Sequence, residues 1–351
     1  MKICRGIARI FLILGLLGAA GCEGAKRPNE LHLFIWANYI NPEVYQLFEK
    51  EFGVKVIEEN FDSNETLHSK LRAGVTGYDL ITPSDYKVEA LIQEGLLAEL
   101  DLSKIPNFQN ISARFKGLYY DPQNRYSIPY LWGTTGIGYH AARLPAPPTS
   151  WGDLFEPVRL QAYAQRISML DDPREAIGAA LKYLGYSLNS TNPQELEEAK
   201  NLLLTQKPYL ARYDSETYDD FLLTGDLYIA HGWSGDFARA RAENPEIRYV
   251  IPREGGVIWA DNLAIPKSSK NKELAERFID FLLRPEINAK IVNFLRYPST
   301  NDAAKAYILP EILNDPGIYP PDEIVSKLEW LRDLDEANEL YERVWTEVKS
   351  R

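Results

Sequence analysis

From Leu31 onward the apolar positions switch repeatedly between a two-residue and a three-to-four-residue period. "LHLFIW" and "VKVIEENF" are β-rich runs, and "PEVYQLFEKEF" between them spaces Val44, Phe48 and Phe52 as one helical face. "SNETLHSKLRAG" predicts a helix capped by Ser63 or Asn64 and stopped at Gly74. "YDLITPS" predicts the next strand and "DYKVEALIQEG" the helix after it. Such a βαβαβ order implies parallel strands joined by right-handed crossovers.

A second unit follows the same logic. "RISMLDD" reads as a strand and "PREAIGAALKYLG" as a helix ending at Gly185. "NPQELEEAKNLLLTQKP" is a helix with Asn192 as cap, Pro193 in the first turn and Glu195 completing a capping box. "ETYDDFLLTG" predicts a helix before the strand "DLYIAHGW", and "KELAERFIDFLLRPEINAKIVNFL" predicts two helices broken at Pro285. A charged helix, Asp335 to Val348, closes the pattern. The strand-like runs "TGIGYH" (135–140) and "VIWADNLAIP" (257–266) are the candidate connections between the units. The Gly-rich "EGG" and "GTTGIG" read as turns and a hinge.

Composition narrows the class. The 351 residues suffice for two globular lobes, and 45% hydrophobic with 25% charged residues is ordinary for a soluble protein. A net charge of -11 argues against a nucleic-acid partner, which needs Lys and Arg against phosphate. Residues 1–21 read as an export signal: Lys2, Arg5 and Arg9 precede an apolar run from Ile10 to Ala20, and "AAGC" places small residues before Cys22. This resembles a bacterial lipoprotein signal, with Cys22 as the lipidated first mature residue; a plain secretory signal with an incidental Cys is the alternative. Removing 1–21 takes those three positive charges from -11 and leaves -14. The only cysteines are Cys4 and Cys22, so no disulfide within the mature chain and no cysteine metal site is expected. The four histidines are scattered without zinc spacing, and no metal or cofactor is expected.

Ligands of open α/β sheets bind beyond the carboxyl ends of the strands. Trp36 ends the first strand, Ser84 and Tyr86 follow the third, Asp172 ends "RISMLDD", and Trp233 follows "LYIAHG". In "IWADN", Trp259 and Asp261 are two apart and share a strand face, an aromatic beside an anion. Aromatic faces attract ammonium groups by about 0.5 to 2 kcal/mol each. They also cover methylenes, at about 0.8 kcal/mol per buried CH₂. A ligand alternating ammonium groups with short alkyl segments satisfies both, and the carboxylates reject anions. Asp172 and Glu175 also fit a capping box by spacing alone, a role that does not exclude binding. Asp171 and Arg174 read as solvated or structural. A glycosidase-like hydrolase using Asp172, Glu175 or Asp261 stays open, because spacing along the chain does not give the carboxylate separation. No G-x-S-x-G, Walker or dinucleotide motif supports another enzyme class.

The chain resembles the spermidine/putrescine-binding proteins of bacterial ABC importers. The resemblance runs over about residues 31 to 348, through "WANY", "SNETLHSKL", "YDLITPSDY", "YSIPYLWGTTGIGY", "TSWGDLF", "LDDPREAIGAALKYLGYS", "EGGVIWADNLAIP", "FLLRPE" and "YPSTN". It implies an α/β, two-lobed periplasmic binding protein of type II. Each lobe would be a mixed, mainly parallel sheet flanked by helices, with two crossover strands between them. The expected division is a tether at 22–30, lobe 1 at 31–136 and 262–305, and lobe 2 at 137–261 and 306–351. The resemblance puts Trp36, Tyr39, Tyr86, Trp233, Trp259 and Tyr297 in an aromatic box, gives Ser84 a hydrogen bond to the ligand, and pairs Asp172, Glu175 and Asp261 with amines. Near "LEWLRD" family members can place a Gln on a terminal amine; here Leu331 follows Trp330, and that contact is not carried over. The implied function is capture of polyamines, spermidine ahead of putrescine on charge matching, for an ABC permease, with no catalysis. A monomer held at the membrane by lipid on Cys22, on the periplasmic side, is expected. A binding protein for another small solute and a surface sensor remain as alternatives.

Overall fold

The computed structural model describes residues 29–350. The expected signal 1–21, Cys22 and nearly all of the tether lie outside them. Ten strands are present among the described residues: β1 (Glu30–Trp36), β2 (Lys55–Phe61), β3 (Leu80–Ile81), β4 (Ser127–His140), β5 (Ile167–Met169), β6 (Arg212–Tyr213), β7 (Ile229–Trp233), β8 (Ile247–Val250), β9 (Val257–Ala264) and β10 (Glu329–Trp330). They form one mixed sheet in the order β2-β1-β3-β9-β4-β7-β5-β6, with β10 beside β9 and β8 beside β4.

The predicted βαβαβ unit is the first part of this sheet. β1 pairs in parallel with β2 and β3, through the helices Pro42–Phe52 and Asn64–Arg72. Ser63 is the observed cap, its hydroxyl accepting the Thr66 N–H at 3.1 Å. β9 then runs antiparallel between β3 and β4. β4 is the pivot of the arrangement. Its first half, Ser127–Thr134, pairs with β9, while its second half, Thr135–His140, pairs with β7 and β8. The connection is thus longer than the expected 135–140, and "GTTGIG" lies inside a buried strand rather than in a turn.

Two sets of cores flank the two parts. Leu33, Phe48, Ile128, Phe278 and Val292 share the first, with Phe34 and Leu91 in a neighbouring cluster. Ile137, Ile167, Ile177, Leu203 and Trp345 build the second, beside a cluster around Leu170 and Phe237. The segment after residue 305 divides differently from expectation. Ile308, Ile312, Ile318 and Val325 bury in the first core, whereas Leu334 and the closing helix Asn338–Ser350 pack in the second, the helix through Tyr341, Val344 and Trp345. Short apolar stretches carry no label saying which of two cores they join.

Both predicted capping boxes form only in part. Asn192 caps its helix by accepting the Gln194 N–H, but the Glu195 carboxylate takes the Ser190 hydroxyl instead of the Asn192 N–H. Asp172 caps Pro173–Tyr183 by accepting the N–H groups of Arg174 and Glu175 at 2.8 and 3.0 Å. The Glu175 side chain does not fold back, and that frees it for the site.

Candidate ligand-binding site

Strand register builds the first end of the site. On β9, Trp259 lies opposite Gly133 and Asp261 opposite Leu131 of β4, and an isolated bridge joins Asp261 to Ser84 on the other side. The buried Asp261 carboxylate is held from two directions. Its Oδ1 accepts the Ser84 hydroxyl at 2.6 Å, and its Oδ2 accepts the Tyr39 hydroxyl. Asn64 fixes Ser84 in turn, taking its backbone N–H at 3.1 Å and donating to its Oγ at 3.0 Å. Burial pushes the Asp261 pKa up to about 6, and the two hydroxyl donors restrain the rise.

The aromatic wall is continuous with this clamp. Tyr297 lies 5.4 Å from Trp259 and 6.3 Å from Tyr39, centroid to centroid. Two glycines make room for it: a Cβ on Gly133 would meet Trp259 Cζ2 at 2.4 Å, and one on Gly235 would meet the Tyr297 ring at 2.4 Å. Tyr86 is buried with Leu188, Val257 and Leu331, against which Trp259 packs. Trp36 packs on Phe61 at 4.5 Å, so its tie to the other candidates runs through the end of β1 and not through a ring contact.

The other end lies on the helix Pro173–Tyr183. Glu175 Oε1 accepts the Thr135 hydroxyl at 2.9 Å and Trp233 Nε1–H at 3.2 Å. Its Oε2 is buried without a protein partner, as are Trp36 Nε1 and Trp259 Nε1. Burial first, and the charge of Asp172 second, raise the Glu175 pKa to about 8. Burial and then the charge of Glu65 raise Asp172 to about 6, against its helix-cap donors. An acceptor oxygen left bare in a buried site is costly unless a donor arrives. A cationic N–H group supplies that donor and the counter-charge together. Among the described residues no cluster of His, Cys, Asp or Glu is arranged for a metal ion.

A profile of the bacterial extracellular solute-binding protein family matches residues 43–320. The chain belongs to that family. This solute-binding protein is 39% identical to a putrescine-binding periplasmic protein of Pseudomonas aeruginosa, over 97% of this chain and 98% of the relative. It is 38% identical to the spermidine/putrescine-binding periplasmic protein of Escherichia coli, over 92% of each chain. Among solved structures, a putative spermidine/putrescine ABC transporter protein from Listeria monocytogenes superposes with a TM-score of 0.87 at 36% identity, covering 92% of this chain and 99% of that one. The family is one of solute-binding transport proteins, not of enzymes.

Several residues that position the site of this solute-binding protein were not legible in its sequence. Asp236 accepts the hydroxyls of Tyr218 at 2.6 Å and Tyr297 at 2.9 Å, and the Tyr218 hydroxyl accepts the Trp233 N–H at 3.0 Å. Asp85, fully buried, takes the N–H groups of Tyr86 and Ala260 and so ties the helix Asp85–Gln93 to β9. Burial holds its pKa well above the carboxylate range. Each was visible as a carboxylate one residue after Ser84 or three after Trp233, but the partners that tie them to other elements, Ala260 for Asp85 and Tyr218 and Tyr297 for Asp236, lie 175, 18 and 61 residues away.

Proposed function

We propose that this solute-binding protein captures polyamines outside the cytoplasm and delivers them to an ABC permease, spermidine in preference to putrescine. One observation carries the reading: two buried carboxylates, Glu175 and Asp261, and the half-buried Asp172 lie beside the candidate aromatic residues, and Glu175 has a bare oxygen. Each lacks a cationic side chain as its principal partner, so a ligand bearing several ammonium groups completes all three. Trp36, Tyr39, Tyr86, Trp233, Trp259 and Tyr297 cover the methylenes between those groups, and Ser84 adds a hydroxyl at one end. Three carboxylates match a triamine better than a diamine. The names of the relatives, which include both spermidine/putrescine and putrescine binders, support the polyamine class.

In this reading the two cores are lobes joined by β4 and β9, with 306–328 moved to the first lobe. Ligand draws the lobes together, a population shift that the permease reads. The protein acts as a monomer on the periplasmic side, held at the membrane by lipid on Cys22. Calorimetric titration of the mature domain with spermidine, putrescine and cadaverine tests the proposal. Micromolar or tighter binding, tightest for spermidine, is expected; absence of binding to every polyamine rejects it, and a putrescine preference rejects the charge-matching argument.

A further inference from the structure

Residue 135 is where β4 changes partners. Thr134 lies opposite Ile258 of β9, and Thr135 opposite Trp233 of β7. The chain at this point is fixed from several sides. The Thr134 hydroxyl pairs with the Tyr249 hydroxyl of β8 at 2.8 Å, and the Thr134 N–H donates to Ser234 Oγ at 3.3 Å. A Cβ on Gly256, just before β9, would stand 2.8 Å from the Thr135 carbonyl oxygen, so the entry to β9 packs against the same residue. Successive side chains of a strand point to opposite faces, and the Thr135 hydroxyl therefore leaves the strand on the face away from that of Thr134.

Thr135 is fully buried, and its hydroxyl donates to Glu175 Oε1 at 2.9 Å. The second donor to that oxygen, Trp233 Nε1–H, belongs to the residue that faces Thr135 across the strand pair. Glu175 is thus tied to both strands where the chain passes from one core to the other. With Oε1 taken by two donors, the remaining acceptor capacity is on Oε2, which is buried without a protein partner. The charged and titratable groups around Glu175 are Asp172 and Arg174 on its own helix, Asp85 on the helix after β3, and Tyr249 on β8. Against burial and the charge of Asp172, the ionised form is favoured first by the Thr135 hydroxyl, then by the Trp233 indole, then by Arg174.

We propose that Thr135 is a positioning residue: its hydroxyl, set at the pivot of β4, holds Oε1 of Glu175, leaves Oε2 for the ligand and joins that carboxylate to the crossover between the cores. The proposal rests on the polyamine reading above for the identity of the ligand. A hydroxyl that donates to a buried carboxylate favours its ionised form, and such charge-assisted bonds are about twice as strong as neutral ones. Without it Oε1 keeps a single donor, the proton on Glu175 is held more firmly, and an arriving ammonium displaces it less readily. Valine keeps the branched shape at the pivot and removes this bond; serine keeps the bond and removes a methyl group.

The test follows the Glu175 carboxyl by carbon NMR in the ligand-free mature protein and titrates spermidine by calorimetry, in the wild type, Thr135→Val and Thr135→Ser. In Thr135→Val the Glu175 midpoint should move up from near pH 8 by about one pH unit. Spermidine should bind that variant about fivefold more weakly at pH 7, with the loss shrinking at pH 9. Thr135→Ser should restore both, and Thr135→Ala, a second variant without the hydroxyl, should follow Thr135→Val. Added to Glu175→Gln, Thr135→Val should change affinity by less than about twofold. A midpoint unmoved in both Thr135→Val and Thr135→Ala, or a loss of affinity equal at every pH and undiminished in Glu175→Gln, overturns the proposal. A midpoint that moves as expected while spermidine fails to bind the wild type rejects the polyamine reading and leaves Thr135 as the residue that positions Glu175.

Discussion

The two ends of the site hold anions in unlike ways. Asp261 is satisfied before any ligand arrives, gripped by Ser84 and Tyr39 between two strands. Glu175 is half satisfied: Thr135 and Trp233 share one oxygen, and the other is bare beside a second carboxylate at a helix N-terminus. The first is a preorganised clamp for a charge. The second is a pair that favours keeping a proton until a cation displaces it, since two neighbouring acids in a buried site resist ionising together. In the proposed site, rigidity thus lies at one end and proton exchange at the other.

The largest expected effect lies at the rigid end. Asp261→Asn keeps the shape and removes the charge, and should weaken spermidine binding by about 30-fold or more, a loss of at least about 2 kcal/mol by titration calorimetry. An unchanged affinity would remove Asp261 from the site. Glu175→Gln should weaken binding by about tenfold at pH 7 and change the pH profile as well. Wild-type affinity should rise from pH 5 to pH 8 as Asp172 and Asp261 (about 6) and then Glu175 (about 8) give up protons. The variant should keep the rise near pH 6 and lose the one near pH 8. A profile identical to wild type would erase the contrast between the ends.

Gly133→Ala probes the wall between them. Its Cβ displaces Trp259, and a loss of about fivefold is expected from misplaced aromatic contact. The smallest effect is on the ligand-free protein. The folded-state pKa values of Asp172, Glu175 and Asp261 are raised above their ordinary 3.8, 4.5 and 3.8, so the folded chain holds protons that the unfolded chain releases. Their contribution is full below pH 4 and is lost as pH rises through 6 and 8. Ligand-free stability, read by urea denaturation, should fall across that window, and saturating spermidine should reverse the slope. A ligand-free stability that rises from pH 5 to 8 would contradict these shifts.

Much of this was legible in the chain because it is local. The alternation of periods marked β1, β2 and the helices around them, and the strand-end positions of Trp36, Ser84, Asp172 and Trp233 followed from that order. What stayed hidden depends on partners far apart. The capping box at Asp172 reads the same whether Glu175 folds back or reaches Thr135, 40 residues earlier. The short apolar segments around Ile308 and Ile318 do not announce which core receives them. The family resemblance named the candidate site residues, yet the direct bond from Tyr39 to Asp261, 222 residues apart, emerges only in three dimensions.

The contrast between the ends meets its most direct test in proton counting. Spermidine titrated into the mature domain at pH 7, in buffers of different ionisation enthalpy, should bind with release of about one proton, supplied mainly by Glu175. The release should vanish in Glu175→Gln and persist in Asp261→Asn measured at higher protein concentration. Binding whose heat is the same in every buffer would contradict a proton held at the Glu175 end, and no binding in any buffer would contradict the polyamine site itself.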